Sequence, residues 1–182
     1  MFPELKAFLD ATEQEIPRPK NKRKRKTHYS GKKKRHTVKT PLTVNAVGLI
    51  IHQTMHVKGS MHDYSLFKRS CPHLSDKIHV EGDLGYLGVR KDFPRLNFGV
   101  SFKWKGLGRG KRGVKVKELS VEQKGFNKAF GKEWIVVEYT NFGVKKFLIW
   151  GGEFRNRLKY CDVAAEIVSG IVNFRISGVL TV

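Results

Sequence analysis

Only 16 acids accompany 36 lysines and arginines in this 182-residue chain. Three of those acids stand where secondary structure would converge them. Asp10 closes the run Leu5-Lys-Ala-Phe-Leu, Asp83 follows Val80-Glu-Gly, and Glu138 lies in a helix-periodic stretch after Ser120. They are 73 and 55 residues apart. Hard divalent cations take carboxylate oxygens. Phosphoryl transfer needs little covalent help from a protein. It needs two cations about 4 Å apart that activate the attacking oxygen and stabilise the leaving one. Read singly, each acid is an ordinary surface acid or helix cap. Asp63 competes with Asp83 for the second position, but Ser60-Met-His-Asp63 has capping-box spacing, which gives Asp63 a structural role.

The elements that must position these acids follow from local pattern. Residues 5–10 read as a strand ending in Asp10. Residues 17–36 hold Pro17, Pro19 and Gly31, and are expected to form a basic loop rather than a helix. Residues 37–44 and 49–56 read as two strands turned by Asn45–Gly48, with Pro41 suited to an edge or to the ladder's free side. A helix runs from Ser60 to about Ser70, then a strand over Lys77–Glu81 closes at Gly82-Asp83. A strand lies within 97–104, and the Gly- and Lys-rich residues 105–115 are expected to be mobile. Ser120-Val-Glu-Gln123 is a second capping box. It opens a helix whose Phe126, Phe130, Trp134 and Val137 share one face, and Gly143 is placed to bend or end it. A last helix spans 158–176, with Val163, Ile167, Gly170 and Ile171 on one side. The order β-β-β-α-β-β-α-α makes a single mixed α/β domain over 1–182.

The net charge of +20 calls for a polyanionic partner, nucleic acid before an anionic membrane. No apolar run approaches the ~18 residues of a spanning helix, and the N-terminus of this sequence lacks the apolar core of a signal peptide. Cys71 and Cys161 form no CxxC and read as reduced thiols, so a cytoplasmic, nucleoid-associated protein is expected. Between Arg18 and Arg35 stand eleven Lys or Arg and no acid. Such a run is either a solvated face or a source of sequence-independent DNA affinity through counterion release. Lys145 falls seven residues after Glu138, close to two helical turns, where it could hold a phosphate or simply face solvent. His52 and His56 resemble a metal pair without the Glu of HExxH, Cys71-Pro-His73 lacks zinc partners, and Gly106–Lys111 fails the spacing of a phosphate loop.

A series of blocks in chain order resembles the DDE superfamily endonucleases of bacterial insertion-sequence family five. Asp10-Ala-Thr12 resembles the block with the first catalytic acid. Tyr29-Ser-Gly-Lys-Lys-Lys-Arg-His-Thr-Val-Lys39 resembles the family's basic block, and Gly59-Ser-Met-His-Asp63 another. Glu81-Gly-Asp-Leu-Gly-Tyr-Leu-Gly88 is similar to the block with the second acid. Val136-Val-Glu-Tyr139 is similar to the block with the third, followed by Lys145 at the family's interval. Arg155-Asn-Arg157 and Val172-Asn-Phe-Arg175 resemble the closing blocks. The resemblance implies an RNase H-like fold, a mixed central sheet flanked by helices. It implies catalytic, metal-binding Asp10, Asp83 and Glu138, with two divalent cations, Mg²⁺ or Mn²⁺ in its place. DNA contacts are expected at Lys32, Lys33, Lys34, Arg35, His36, Lys145, Arg155 and Arg157, and DNA, as transposon ends and target, is the implied partner; a homodimer is one assembly left open, since the sequence does not give the oligomeric state. Trp134 stands where the family has Arg, Ala11 replaces a Gly, and Tyr139 a His. Family members carry a helical DNA-binding region before the first acid; here nine residues precede Asp10. An N-terminally truncated chain is therefore expected, with that region absent or supplied by a partner or fusion. Three readings stay open: a DNA-cutting and -joining transposase domain, a metal-dependent nuclease that only hydrolyses, and a catalytically inactive basic DNA-binding remnant or regulator.

Overall fold

The computed structural model describes residues 6–70, 77–103 and 119–178. Cys71, His73 and the Gly- and Lys-rich stretch over 105–115 lie outside the described residues. Seven strands form one sheet: β1 Lys6–Glu15, β2 Tyr29–Ser30, β3 Arg35–Asn45, β4 Ile50–Gln53, β5 Val57–Lys58, β6 His79–Gly82 and β7 Phe98–Val100. The helices are α1 Lys22–His28, α2 Asp63–Ser70, α3 Val89–Asp92, α4 Val121–Lys145, α5 Leu148–Gly151 and α6 Cys161–Ile176. The sheet order is β2-β3-β1-β6-β7, with β4 and β5 also pairing β3. β1 runs antiparallel to β3 and parallel to β6, and β6 parallel to β7. The sheet is therefore mixed, with its parallel half reached through helical crossovers, as parallel pairing requires.

Helices cover both faces. On one, Phe8 of β1 and Leu42 and Val44 of β3 pack with Val137 and Val144 of α4, Trp150 of α5, and Ala165, Val168 and Val172 of α6. On the other, Leu9, Val80, Phe98 and Val100 meet Phe67 of α2, Tyr86 and Val89. The period-2 alternation along β1 divides its residues between these layers. Phe8 meets Trp134 edge-on at 6.0 Å between ring centroids, while Leu9 joins the opposite cluster. Among the described residues no helix is long and apolar enough to cross a membrane.

Several local expectations change. β1 does not end at Asp10 but continues to Glu15, because β3 supplies a partner for every residue from Ala7 to Glu15. The basic segment is not all loop: the Asn21 side chain accepts from the amides of Arg23 and Lys24 at 2.9 and 3.1 Å. That cap, with Arg25, Lys26 and His28 in the last turn favoured by the helix dipole, outweighs the nearby prolines. Ser60 does not cap α2; its hydroxyl donates to the carbonyl of Thr27 at 2.6 Å, and the helix begins at Asp63. The Ser120–Gln123 box forms with both arms, at 3.1 and 3.2 Å, and α4 continues past Gly143 to Lys145. The last helix begins at Cys161 after a 3-10 turn. Its Val163, Ile167 and Ile171 do share a side, but that side is exposed, and Ala165, Val168 and Val172 face inward. Pro41 sits in an internal strand, between the stretches of β3 paired to β4 and to β5. Its carbonyl accepts from Thr54 on that outer side, so its missing N–H falls where the outer neighbour has left the ladder.

Candidate active site

The parallel pair β1–β6 brings the first two acids together. Leu9 stands opposite Gly82, so Asp10 and Asp83 follow one residue later on neighbouring strands, which lie about 4.8 Å apart in a sheet. Asp10 is half-buried; one carboxylate oxygen accepts from the amide of Ala11 at 2.8 Å and the other from the side-chain amide of Asn141 on α4. Asp83 caps a 3-10 turn over Leu84–Tyr86, accepting from the amide of Gly85 at 2.8 Å. Asp63, at the first turn of α2, joins them. A Cβ on Gly85 would stand 2.8 Å from Asp83 Oδ1 and 3.0 Å from Asp63 Oδ2, so a bare glycine lets the two carboxylates approach.

Burial, then the neighbouring negative charge, raises the carboxyls of both Asp10 and Asp83. Asp83 adds to the shift of Asp10, and Asp63 to both. The same three acids, after burial, push the hydroxyl of Tyr86 far up. In a chain of net charge +20, this spot keeps a concentrated negative charge. Opposing it, the ammonium of Lys39 lies 2.9 Å from Asp63 Oδ1 and 3.6 Å from Glu13 and donates to the carbonyl of Met61 at 2.9 Å. Asp63 is thus an ion-pair partner rather than a cap.

The third acid is placed differently. Trp134, Glu138, Asn141 and Lys145 are spaced 4, 3 and 4 along α4, one helix face. Trp134 meets Phe8 and Asn141 meets Asp10, so Glu138 lies between two contacts to β1, yet remains exposed. Among the described residues no three His, Cys, Asp or Glu side chains gather closely enough to hold a metal ion. The donor set nonetheless fits a hard cation: oxygen ligands alone, with Asp10 and Asp83 half-buried and raised by burial first and by neighbouring carboxylates second.

The basic block closes over this spot. Lys32, Lys33 and Lys34 form the exposed turn between β2 and β3, pinned by the amide of Lys33 on the hydroxyl of Ser30 at 3.2 Å. Lys34 takes a left-handed φ of 57°. Partial desolvation, then the charges of Lys33 and Lys32, lower the ammonium of Lys145, while Asp10 and Glu13 oppose them. Lys32 also lowers Asp83. Arg35 pairs with Glu15 at 3.2 Å, and the ring of His36 meets Tyr29 edge-on. Arg155 and Arg157 are exposed beside Phe154, whose amide is held by Glu15 at the end of β1; the nearest acid to Arg155 is Glu153 at 3.7 Å. Sequence reasoning missed Asn141, Lys39 and Tyr86. The i, i+3 relation of Asn141 to Glu138 was a signal for the first; the others needed the sheet. Asn173, in a closing block, clamps β4 through both the amide and the carbonyl of Ile50 at 2.8 Å, a structural task.

Adjacent parallel strands carrying two acids and a long helix carrying a third across the same sheet make this a mixed α/β fold with a central sheet flanked by helices. The chain belongs to the DDE superfamily endonuclease family, which it matches over residues 9–173. It is also 34% identical over 169 residues to a probable transposase for insertion sequence element IS702 from Microchaete diplosiphon, covering 93% of this chain and 56% of that protein. The chain thus spans little more than half the length of that curated relative. No solved structure matches it.

Proposed function

We propose that this chain is the catalytic core of a DNA transposase, of RNase H-like fold, that cuts and joins DNA phosphodiesters. The observation that carries the reading is the placement of Asp10 and Asp83 on neighbouring parallel strands, with Asn141 of α4 fastened to Asp10. Asp10, Asp83 and Glu138 would hold two divalent cations, Mg²⁺ or Mn²⁺. Bound there, these supply Lewis acidity toward the phosphate and neutralise developing charge. Asn141 fixes the orientation of Asp10, as outer partners do for metal-holding carboxylates. Lys145, Lys32 and Lys33 would hold the phosphate and its neighbours, and Lys34, Arg35, His36, Arg155 and Arg157 would extend the contact along the backbone. Water, and then the freed 3′ hydroxyl, would attack in line. A second copy and a helical DNA-binding region, supplied by a partner or fusion, would act with it on transposon ends.

The test is a nicking assay on duplex DNA with each cation. Cleavage is expected with Mg²⁺ or Mn²⁺ and not with Ca²⁺, which is larger and accepts loose coordination. Asp83→Asn should abolish cleavage and leave DNA binding intact. Wild-type binding without cleavage under every cation would leave the binding-protein reading standing. Hydrolysis without joined products would leave a nuclease.

A further inference from the structure

Met61 borders two places. Its carbonyl holds Lys39, and it also lines a cavity of about 290 Å³ with His28, His56, Val57, Lys58 and Arg69. None of these lining residues is an acid. His28 ends α1, Lys58 ends β5 and Arg69 lies in α2. Among the described residues neither Lys58 nor Arg69 is ion-paired.

Both imidazoles are anchored by the same nitrogen. His56 Nδ1 lies 2.8 Å from Asp162 Oδ1, and that oxygen also accepts from the His56 amide at 2.7 Å. His28 Nδ1 lies 2.9 Å from the carbonyl of Lys24 and 3.1 Å from the hydroxyl of Thr27, whose own hydrogen goes to the carbonyls of Arg23 and Lys24 at 3.2 Å. A carboxylate and a carbonyl only accept, so Nδ1 carries the hydrogen in each ring and Nε2 is the atom left over. Among the described residues neither Nε2 has a hydrogen-bond partner.

A ring held this way can offer Nε2 to a metal or, once protonated, donate from it to an anion. The lining decides between them. A cation would face Lys58 and Arg69 and would need a third ligand, and no three such ligands gather among the described residues. An anion would meet two permanent cations and two rings that become donors at Nε2 when protonated. Burial, with the charges of Lys58, Lys24 and His56, lowers His28, and Asp162 is the acid that faces His56. An anion in the cavity would offset the repulsion at His28.

We propose that His28, His56, Lys58 and Arg69 form a second phosphate seat, apart from the Asp10–Asp83 acids, that takes one backbone phosphate of bound DNA. A phosphate matches the donor set, because its oxygens accept from Arg, Lys and imidazolium together. The choice of DNA as its source rests on the transposase reading; the phosphate chemistry does not.

The test follows the histidine ring C–H resonances of the full chain at neutral pH in a chelator. Inorganic phosphate and a short duplex are titrated separately. Both should move His28 and His56 toward the protonated form. The duplex should act at far lower concentration and be displaced by excess phosphate. Lys58→Gln with Arg69→Gln should remove both responses and reduce the slope of log affinity for duplex against log salt by about one for each phosphate no longer neutralised. Asp83→Asn should leave both responses in place. A response to phosphate but not to duplex overturns the DNA assignment. No response to either, or a response to Zn²⁺ that excludes phosphate, overturns the seat. These wild-type titrations decide the matter even where the double variant fails to fold. A wild-type protein that shows the ring shifts but never nicks DNA loses the transposase reading and keeps the seat.

Discussion

Asp10 and Asp83 hold their protons more tightly folded than unfolded. The stability they contribute is therefore complete below the ordinary carboxylate range of about 4 and is lost as pH rises through their raised folded values. In chelator, Asp83→Asn should melt above wild type at neutral pH, and the gap should close as pH falls below about 4; thermal unfolding across pH measures it. Adding Mg²⁺ or Mn²⁺ should raise the wild-type midpoint by mass action, ~2.7 kcal/mol at a hundredfold excess over Kd, and should do far less for Asp83→Asn. Asn141 gives a second residue-scale prediction. Asn141→Leu should lower cleavage by about ten- to a hundredfold with duplex affinity unchanged, because Asp10 loses the donor that fixes it. Gly85→Ala should lower cleavage too, since its Cβ would press on Asp83 Oδ1 at 2.8 Å; equal rates for it and wild type would contradict the packed-carboxylate geometry.

At the scale of elements, α4 is the long lever that carries Glu138, Asn141 and Lys145. Gly125 and Gly131 interrupt it, and a Cβ at either would meet nothing within 4 Å. Alanine at each should therefore stabilise the fold by roughly 0.5–1 kcal/mol through reduced chain entropy, read as a higher denaturation midpoint. Ser120→Ala should cost about 1 kcal/mol by undoing the capping box. That box was legible in the sequence because both its hydrogen bonds lie within four residues. α1 was not, although its cap is equally local, because Pro17, Pro19 and Gly31 around it read as loop signals. The length of β1 was not legible either: its continuation past Asp10 depends on β3, whose partner residues lie 22 to 30 positions away. The outward turn of Val163, Ile167 and Ile171 escaped notice for a related reason. α6 has apolar residues on two sides, and only the packing of Val168 and Val172 selects the inner one.

Across the whole molecule, charge acts where local patterns do not. A net charge of +20 should make duplex binding weakly sequence-dependent and steeply dependent on salt. Neutralising Lys32, Lys33 and Lys34 should lower affinity and flatten the salt slope by about one unit for each phosphate they had neutralised; an unchanged slope would make the turn mere solvated surface. The sequence by itself determined the charge, the capped α4, the placing of Lys145 two turns beyond Glu138 and the ordered blocks that carry family membership, because each is a matter of composition or short spacing. Only the tertiary structure decided that Asp10 and Asp83 are neighbours, that Asp63 answers to Lys39 instead of capping a helix, and that Asn141 is the residue of α4 that grips the first acid. Those relations arise from parallel strand pairing and from a helix laid across a sheet, between residues 24 to 131 positions apart, which no local periodicity encodes.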